Sequence, residues 1–446
     1  MSDPFHKYDI RGIYPSELSE ELVYKIAKAI VHKFSLKKIV VGYDHRTSSP
    51  ALFESFAKGA TEMGCDVLSI GSSATPILYQ VCVRGEYDIG VMITASHNPK
   101  EYNGLKICTK ESQLVTSDKG LNDIKKIVEE DDFELADKKG LVEEKDILSE
   151  YSSFVKKHLN SLKKKYKVVV DTGNGVAGPI VKKILDGIDK IDLVELYFEP
   201  DGNYPNHEAN PLKEENLEDL SKKIIDEKAD FGFAFDGDAD RCILLDEKGD
   251  VVNTDMLLCL IATEESKKNP ESTFYYDLRF SKIVKEHIEA LGCKAVMSEV
   301  GNAVYKEKLF YEGGLVAAEL SGHVMYSEND CLDDGFYLMA KIFNYVDDLG
   351  KNVSDLIKPF KIYFQSPEIN TKVKDANVVL NEIKEKYSTY EITELDGITI
   401  TDEKWWFNIR KSNTEPVIRM RIEADTKEIL DEKKKELDQL LASHKT

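Results

Sequence analysis

The sequence predicts an α/β protein: three similar mixed-sheet α/β domains followed by a smaller α+β C-terminal domain, set around one central cleft. Three observations carry this. A strand–loop–helix grammar repeats along most of the chain, and it changes after about residue 360. The loops richest in reactive side chains fall at the carboxyl ends of strands, where open α/β sheets bind ligands.

In the first region, apolar runs at 37–44 (KKIVVGYD), 65–71 (CDVLSIG) and 87–99 (YDIGVMITASHNP) each end in a polar or glycine-containing loop. The second region repeats this at 166–175 (YKVVVDTGNG), 191–198 (IDLVELYF) and 229–241 (ADFGFAFDGDADR). The third does so at 272–281 (STFYYDLRFS), 293–301 (CKAVMSEVG) and 314–323 (GLVAAELSGH). Such near-continuous apolar runs are expected of strands covered by helices on both faces. The charged stretch 126–149 separates the first two regions, and the turn DEKGD ending at Asp250 closes the second. Domains are therefore expected at 1–145, 146–250, 251–360 and 361–446. In the last, the strands FKIYF, GITITD, WWFNIR and VIRMRIEA precede a helix over 426–444, which reads as an antiparallel sheet with a covering helix.

A net charge of −21 argues against nucleic acid or an anionic membrane surface as a partner. An anionic substrate would need a local cluster of cations. The seven Cys are odd in number, form no C-x-x-C pair and lie mostly in apolar runs. They read as buried thiols of a reducing compartment, the cytoplasm. No run reaches the roughly 18 apolar residues of a membrane span. Whether the chain is a monomer or a dimer is left open.

TASHNP (94–99) presents Ser96 on a turn beside His97. A hydroxyl that takes and gives phosphate needs exposure and nearby charge, which His97 and Lys106 can supply together with proton transfer. Read plainly, the same residues are an ordinary Ser/Asn turn. DGDADR (236–241) spaces Asp236, Asp238 and Asp240 at every second residue of a loop. Three such carboxylates would repel one another without a cation, and hard oxygen ligands suit Mg²⁺. A calcium EF-hand is excluded, although Glu247 falls at its twelfth position. Arg241 stands where that loop needs Gly, and the flanks read as strands.

GNGVAG (173–178) follows a strand and matches G-x-G-x-x-G, with Glu199 near the ribose-binding distance. It is the best support for a different class, an NAD-dependent oxidoreductase. The other reading is a strand-to-helix turn that uses Gly, and nothing else in the chain offers a hydride-transfer site. Glu319, Ser321 and His323 of AAELSGH can bond sugar hydroxyls, or merely cap a turn. Arg410, Ser412, Asn413 and Thr414 of RKSNTEP offer dense donors for a phosphate, and Arg419 adds charge. YDIRG brings Tyr8 and Arg11 near the N-terminus.

In this order, YDIRG, TASHNP, DGDADR, ELSGH and RKSNTEP resemble the alpha-D-phosphohexomutase superfamily, most closely the bacterial phosphomannomutase/phosphoglucomutase branch. The resemblance covers nearly the whole chain. It implies four domains around one cleft and a phosphoserine at Ser96. It implies Mg²⁺ held by Ser96, Asp236, Asp238 and Asp240. Arg11, His97, Lys106, Arg241 and His323 would surround the reacting groups. Tyr8, Glu319, Ser321 and His323 would recognise the sugar, while Arg410, Ser412, Asn413, Thr414 and Arg419 would bind its phosphate. The implied reaction moves a phosphoryl group between the 1 and 6 positions of a hexose phosphate, of mannose or glucose, through a hexose 1,6-bisphosphate that also serves as activator. The small C-terminal domain would close on the substrate.

Two departures bear on the sugar. Ala318 replaces the usual Gly before Glu319. Glu299 and Asn302 stand where some members carry a Lys and a His that touch substrate. Leu320 in place of Gln separates the chain from glucosamine-type mutases. A phosphoglucosamine mutase is the alternative, and a sugar phosphatase a more distant one.

Overall fold

The structure, a computed structural model, is described for residues 3–159, 162–411 and 417–444. The chain divides into two compact units. The first comprises Met1–Asn253, Lys306–Ala317 and Ser321–Asp355, and the second Thr254–Tyr305, Ala318–Leu320 and Leu356–Thr446.

In the first unit, strands β1 (Ile10–Ile13), β2 (Lys38–Tyr43), β3 (Asp66–Ser72), β4 (Ile89–Ile93), β5 (Tyr102–Thr109) and β6 (Val142–Glu144) form a sheet in the order β1-β5-β4-β2-β3-β6. β2 runs parallel to β3 and β4, while β5 is antiparallel to β1 and β4, so the sheet is mixed. β4 is buried along its whole length, as its unbroken apolar run IGVMI requires. The helix Glu20–Phe34 packs its apolar stripe on this core. It starts where the Ser19 hydroxyl accepts from the Leu22 N–H, and it stops at Ser35 in the left-handed region.

Two expectations change here. YNGLKICT, a stretch outside the apolar runs of the first region, is the interior strand β5, flanked by β1 and β4 and buried at its six middle positions. The stretch 126–149 is not only a separator. The helix Leu121–Glu130 takes its start, and β6 pairs in parallel with β3 as a short, charged, exposed edge strand. Charge on an edge strand discourages pairing with another chain.

The second sheet of this unit has the order β11-β10-β9-β7-β8, from β7 (Tyr166–Asp171), β8 (Ile191–Leu196), β9 (Phe231–Phe235), β10 (Cys242–Leu245) and β11 (Val251–Val252). β7 is parallel to β8 and β9, and β9 turns back through DGDADR into the antiparallel β10. The hairpin of β15 (Val324–Tyr326) and β16 (Leu332–Asp333) leads into the helix Gly335–Leu349. Asp334 caps that helix by accepting from the Phe336 and Tyr337 N–H groups.

In the second unit, β12 (Thr273–Asp277) and β13 (Lys294–Ser298) pair in parallel, with the helix Lys282–Ala290 between them. The short β14 (Val316–Ala318), whose first two residues belong to the first unit, leads into Glu319. The C-terminal part is antiparallel: β17 (Phe364–Gln365), β22 (Val417–Ala424), β21 (Trp405–Lys411), β20 (Ile398–Thr401) and β19 (Glu391–Thr393) follow one another, and β18 (Ile369–Lys372) also pairs with β22. The helix Lys427–Ala442 buries Leu430, Leu437 and Leu441 in the core of this sheet. FKIYF is not a strand over its length. Pro359 lies in a 3₁₀ turn, Lys358–Phe360, and pairing begins only at Phe364, opposite Ala424. All seven cysteines are buried free thiols. Among the described residues, no helix is long and apolar enough to cross a membrane.

Candidate active site

The loop after β4 carries Ser96, and the loop after β9 carries the three aspartates. Both are strand ends of the first unit, and they meet. The Ser96 hydroxyl donates to Asp236 Oδ2 at 2.8 Å. Gly237 is needed for this approach, since a Cβ there would lie 2.5 Å from the Ser96 carbonyl oxygen. Ser96 itself has φ of 50° and Ala239 has φ of 60°, so each loop bends through the left-handed region that non-glycine residues seldom enter. Asp236, Asp238 and Asp240 are all buried, and so is Ser96, against the exposure expected of its hydroxyl, because the aspartate loop packs directly on its turn.

Cations offset this buried negative charge. Lys106, on β5 opposite Met92, extends its ammonium to Asp238 at 2.7 Å and to Asp240. Arg241 lies 3.6 Å from Asp236. The helix Thr75–Arg84 turns its N-terminus to the same loop. The Thr75 hydroxyl donates to Asp238 Oδ2 at 2.6 Å, and its N–H to the Asp238 carbonyl at 3.0 Å. Asp236, Asp238 and Asp240 each offer a carboxylate oxygen, and these oxygens lie within 4.8 Å of one another. Asp238 Oδ1 is buried and accepts no hydrogen bond from the described residues. A compact set of hard oxygen donors with a vacant lone pair fits a small divalent cation.

Burial and the charges of Asp240 and Asp238 push the Asp236 carboxyl well above the ordinary range. For Asp240, burial acts in the same sense but is outweighed by Lys106 and His323, which hold it well below that range. Burial acts against the Lys106 ammonium, yet the aspartates raise its pKa, so it stays a cation. His97 Nδ1 lies 3.2 Å from Ser96 Oγ. Burial, with Arg241, Arg11 and Lys106 around it, depresses its imidazole well below 6.5. The His97 imidazole is thus held toward its neutral form, beside the Lys106 ammonium.

Arg11 donates to Asn98 Oδ1 at 2.8 Å and pairs with Asp9, and its buried Nε has no hydrogen-bond partner among the described residues. His323 Nε2 lies 3.3 Å from Arg241 Nε and 3.3 Å from Asp240 Oδ1, and its Nδ1 is 2.8 Å from Ser321 Oγ. The Tyr8 ring lies 4.9 Å from the Lys7 ammonium. Thr75 and Asp333 carry no motif signal in the sequence; Asp333 lies 4.0 Å from His323 and pairs with the wholly buried Lys306.

The second unit gathers another cluster. Arg279 grips Asp277 through Nε at 2.9 Å and Nη2 at 2.5 Å, and reaches Glu319 at 3.7 Å. Glu368 binds Arg279 at 3.0 Å, Arg410 at 3.4 Å and Arg419 at 3.8 Å. Arg279 sits just past a strand end, a position the strand-end rule would have flagged. Glu368 has no such signal. Ser412, Asn413 and Thr414 lie outside the described residues.

GNGVAG packs against the aspartate loop. The Val176 N–H donates to the Gly237 carbonyl at 3.2 Å, and a Cβ on Gly175 would lie 2.9 Å from the same oxygen. Gly175 thus admits a neighbouring loop where a dinucleotide site would admit a pyrophosphate.

Models of the four phosphoglucomutase/phosphomannomutase domains match in order: alpha/beta/alpha domains I, II and III at residues 3–135, 149–249 and 253–363, and the C-terminal domain at 368–440. A phosphomannomutase of Methanocaldococcus jannaschii is 38% identical over 442 residues, 98% of this chain and 97% of that one. A phosphomannomutase/phosphoglucomutase of Pseudomonas aeruginosa is 36% identical over 436 residues, 96% of this chain and 93% of that one. The crystal structure of a phosphoglucomutase/phosphomannomutase family protein from Burkholderia thailandensis superposes with a TM-score of 0.90 at 29% identity, covering 99% of this chain and 97% of that one. The chain therefore belongs to the phosphoglucomutase/phosphomannomutase family and is an enzyme of the phosphohexomutase class.

Proposed function

We propose that the enzyme interconverts the 1- and 6-phosphates of mannose or glucose, with Ser96 as the phosphoryl carrier and a hexose 1,6-bisphosphate as intermediate and activator. The observation that carries this reading is the Ser96 hydroxyl, 2.8 Å from Asp236 within a cage of three carboxylates and their cations. Mg²⁺ on Asp236, Asp238, Asp240 and the Ser96 phosphate would supply positive charge to the transferring group.

The chain's own groups do the rest. In the forward half, the phosphorus–oxygen bond to Ser96 breaks as a bond forms to the free hydroxyl of the sugar phosphate, whose proton passes to a base. In the second half, Ser96 Oγ attacks the other phosphate of the bisphosphate as the bond from that phosphorus to the sugar oxygen breaks, and the released oxygen takes up a proton to become the free hydroxyl of the product. His97, neutral and 3.2 Å away, is placed to take the serine proton. Lys106, Arg241 and Arg11, with its unpartnered Nε, supply fixed positive charge to phosphoryl oxygens. Glu319, Ser321 and His323 are suited to sugar hydroxyls, with Tyr8 assigned to the same task from sequence. Arg410 and Arg419, joined here by Arg279, are suited to the phosphate that does not react.

Relatives named for both mannose and glucose support those two sugars over glucosamine. The test compares glucose 1-phosphate, mannose 1-phosphate and glucosamine 1-phosphate in one coupled assay with bisphosphate activator. The first two should react well and the third poorly. A preference for the glucosamine compound would overturn the sugar assignment. Release of inorganic phosphate in place of the isomer would overturn the mutase reading.

A further inference from the structure

The TASHNP turn does not hold itself. Three of its carbonyl groups, and that of Tyr102 at the start of β5, converge on one side chain from another loop, Arg46, which lies just after β2. Arg46 Nη1 donates to the carbonyls of Pro99 at 2.7 Å and Tyr102 at 2.9 Å, and Nη2 to those of Ser96 at 2.8 Å and Asn98 at 2.7 Å. The fifth N–H, on Nε, meets Asp44 Oδ2 at 3.1 Å. Every donor of the guanidinium is matched, and its side chain is 0% exposed. The Tyr204 ring lies 5.4 Å from the guanidinium carbon.

Asp44 extends the frame. Its Oδ2 also accepts from the Thr94 hydroxyl at 2.8 Å, and its Oδ1 from the Ser49 hydroxyl at 2.6 Å. Thr94 Oγ1 in turn accepts from the Ser96 N–H at 2.8 Å. Both backbone polar groups of Ser96 are thus fixed by one buried Arg–Asp pair, directly or through Thr94.

We infer that Arg46 is the positioning residue of the phosphoryl-carrying serine. Two consequences follow from its geometry. It ties down the Ser96 residue at a φ of 50°, a conformation that an untethered serine would leave. It also draws four carbonyl oxygens to one side, where their negative ends cannot face an incoming phosphate. The turn then presents its hydroxyl, and not its carbonyls, to Asp236. A lysine could not replace this function, because a compact ammonium has three donors and no planar fork.

This inference rests on Ser96 being the carrier, and the experiment separates the two ideas. Steady-state kinetics are measured for the intact enzyme and for Ser96→Ala, Arg46→Lys, Arg46→Ala and Thr94→Ala. The rate of Ser96 phosphorylation by glucose 1,6-bisphosphate is followed by mass spectrometry in those that keep Ser96. Arg46→Lys should lose about 100-fold in kcat, the scale of a displaced reacting group, with KM essentially unchanged and a matching fall in phosphorylation rate. Thr94→Ala, which removes a small hydroxyl, should show the same kcat-selective loss while remaining folded. Guanidinium ion added to Arg46→Ala should recover part of the turnover. Wild-type kcat in Arg46→Lys, or equal damage to kcat and KM in Thr94→Ala, would overturn the positioning role. If the arginine variants fail to fold, the kcat-selective loss in Thr94→Ala upholds the role and wild-type kcat there overturns it. Full activity in Ser96→Ala would instead overturn the carrier assignment on which the inference stands.

Discussion

Ser96 and Asp236 lie 140 residues apart in sequence and share a 2.8 Å hydrogen bond. The serine hydroxyl donates, so the carboxylate holds it at the edge of the aspartate cage. Asp236→Asn keeps the shape and loses the charge. Turnover should fall by about 100- to 1,000-fold, the range seen when one electrostatic group of an active site is removed. Thermal stability should rise or hold, because burial and two like charges already disfavour the Asp236 carboxylate. A melting curve beside the kinetic assay checks both parts.

Lys106 shares Asp238 and Asp240 with any bound cation. Lys106→Met should therefore lower the Mg²⁺ concentration needed for half-saturation while turnover drops. Titration calorimetry with Mg²⁺, alongside the assay, checks this. Weaker Mg²⁺ binding in the variant would show that the ammonium supports the metal site. In the parent enzyme, chelator should abolish activity and Mg²⁺ should restore it. Saturating Mg²⁺ at about 100 times its Kd should add about 2.7 kcal/mol to folding stability.

His207 Nε2 lies 3.0 Å from Asp171 Oδ2, and Asp171 Oδ1 accepts from the Gly173 N–H that opens GNGVAG. Burial lowers the His207 pKa, but Asp171 outweighs it and holds the imidazole above 6.5. A raised folded-state pKa contributes stability in full below the unfolded value and loses it as pH rises through the folded one. Urea midpoints of the parent and His207→Gln should differ most below about pH 6.5 and converge above it. A difference that grows with pH would contradict the pairing.

The reactive loops were legible because strand ends collect chemistry. TASHNP and DGDADR each follow a wholly buried strand, so Ser96 and the aspartates stood out by position as well as by type. Arg46 did not stand out, since its partners are backbone carbonyls some fifty residues away and carbonyls leave no mark on a sequence. β5 was hidden for a related reason. YNGLKICT alternates small, polar and apolar residues, and its burial comes from strands on both sides. GNGVAG is the strand-to-helix turn that stood as the other reading of its glycines, with Gly175 closing on the aspartate loop.

Arg410 is 2% exposed and bound to Glu368 with Arg279 and Arg419 nearby. Arg410→Ala should raise KM and lower kcat together, since a grip on the non-reacting phosphate both binds and orients. Phosphate on Ser96 should persist in this variant. Unchanged KM would remove Arg410 from substrate binding.

The phosphoserine is the central claim, and single-turnover transfer tests it most directly. Enzyme treated with glucose 1,6-bisphosphate and freed of excess is mapped by peptide mass spectrometry, then mixed with glucose 1-phosphate. One phosphate at Ser96, lost from the protein as bisphosphate appears in equal amount, is the predicted result. A phosphate on another residue, or one at Ser96 that stays put while the enzyme still turns over, would contradict it.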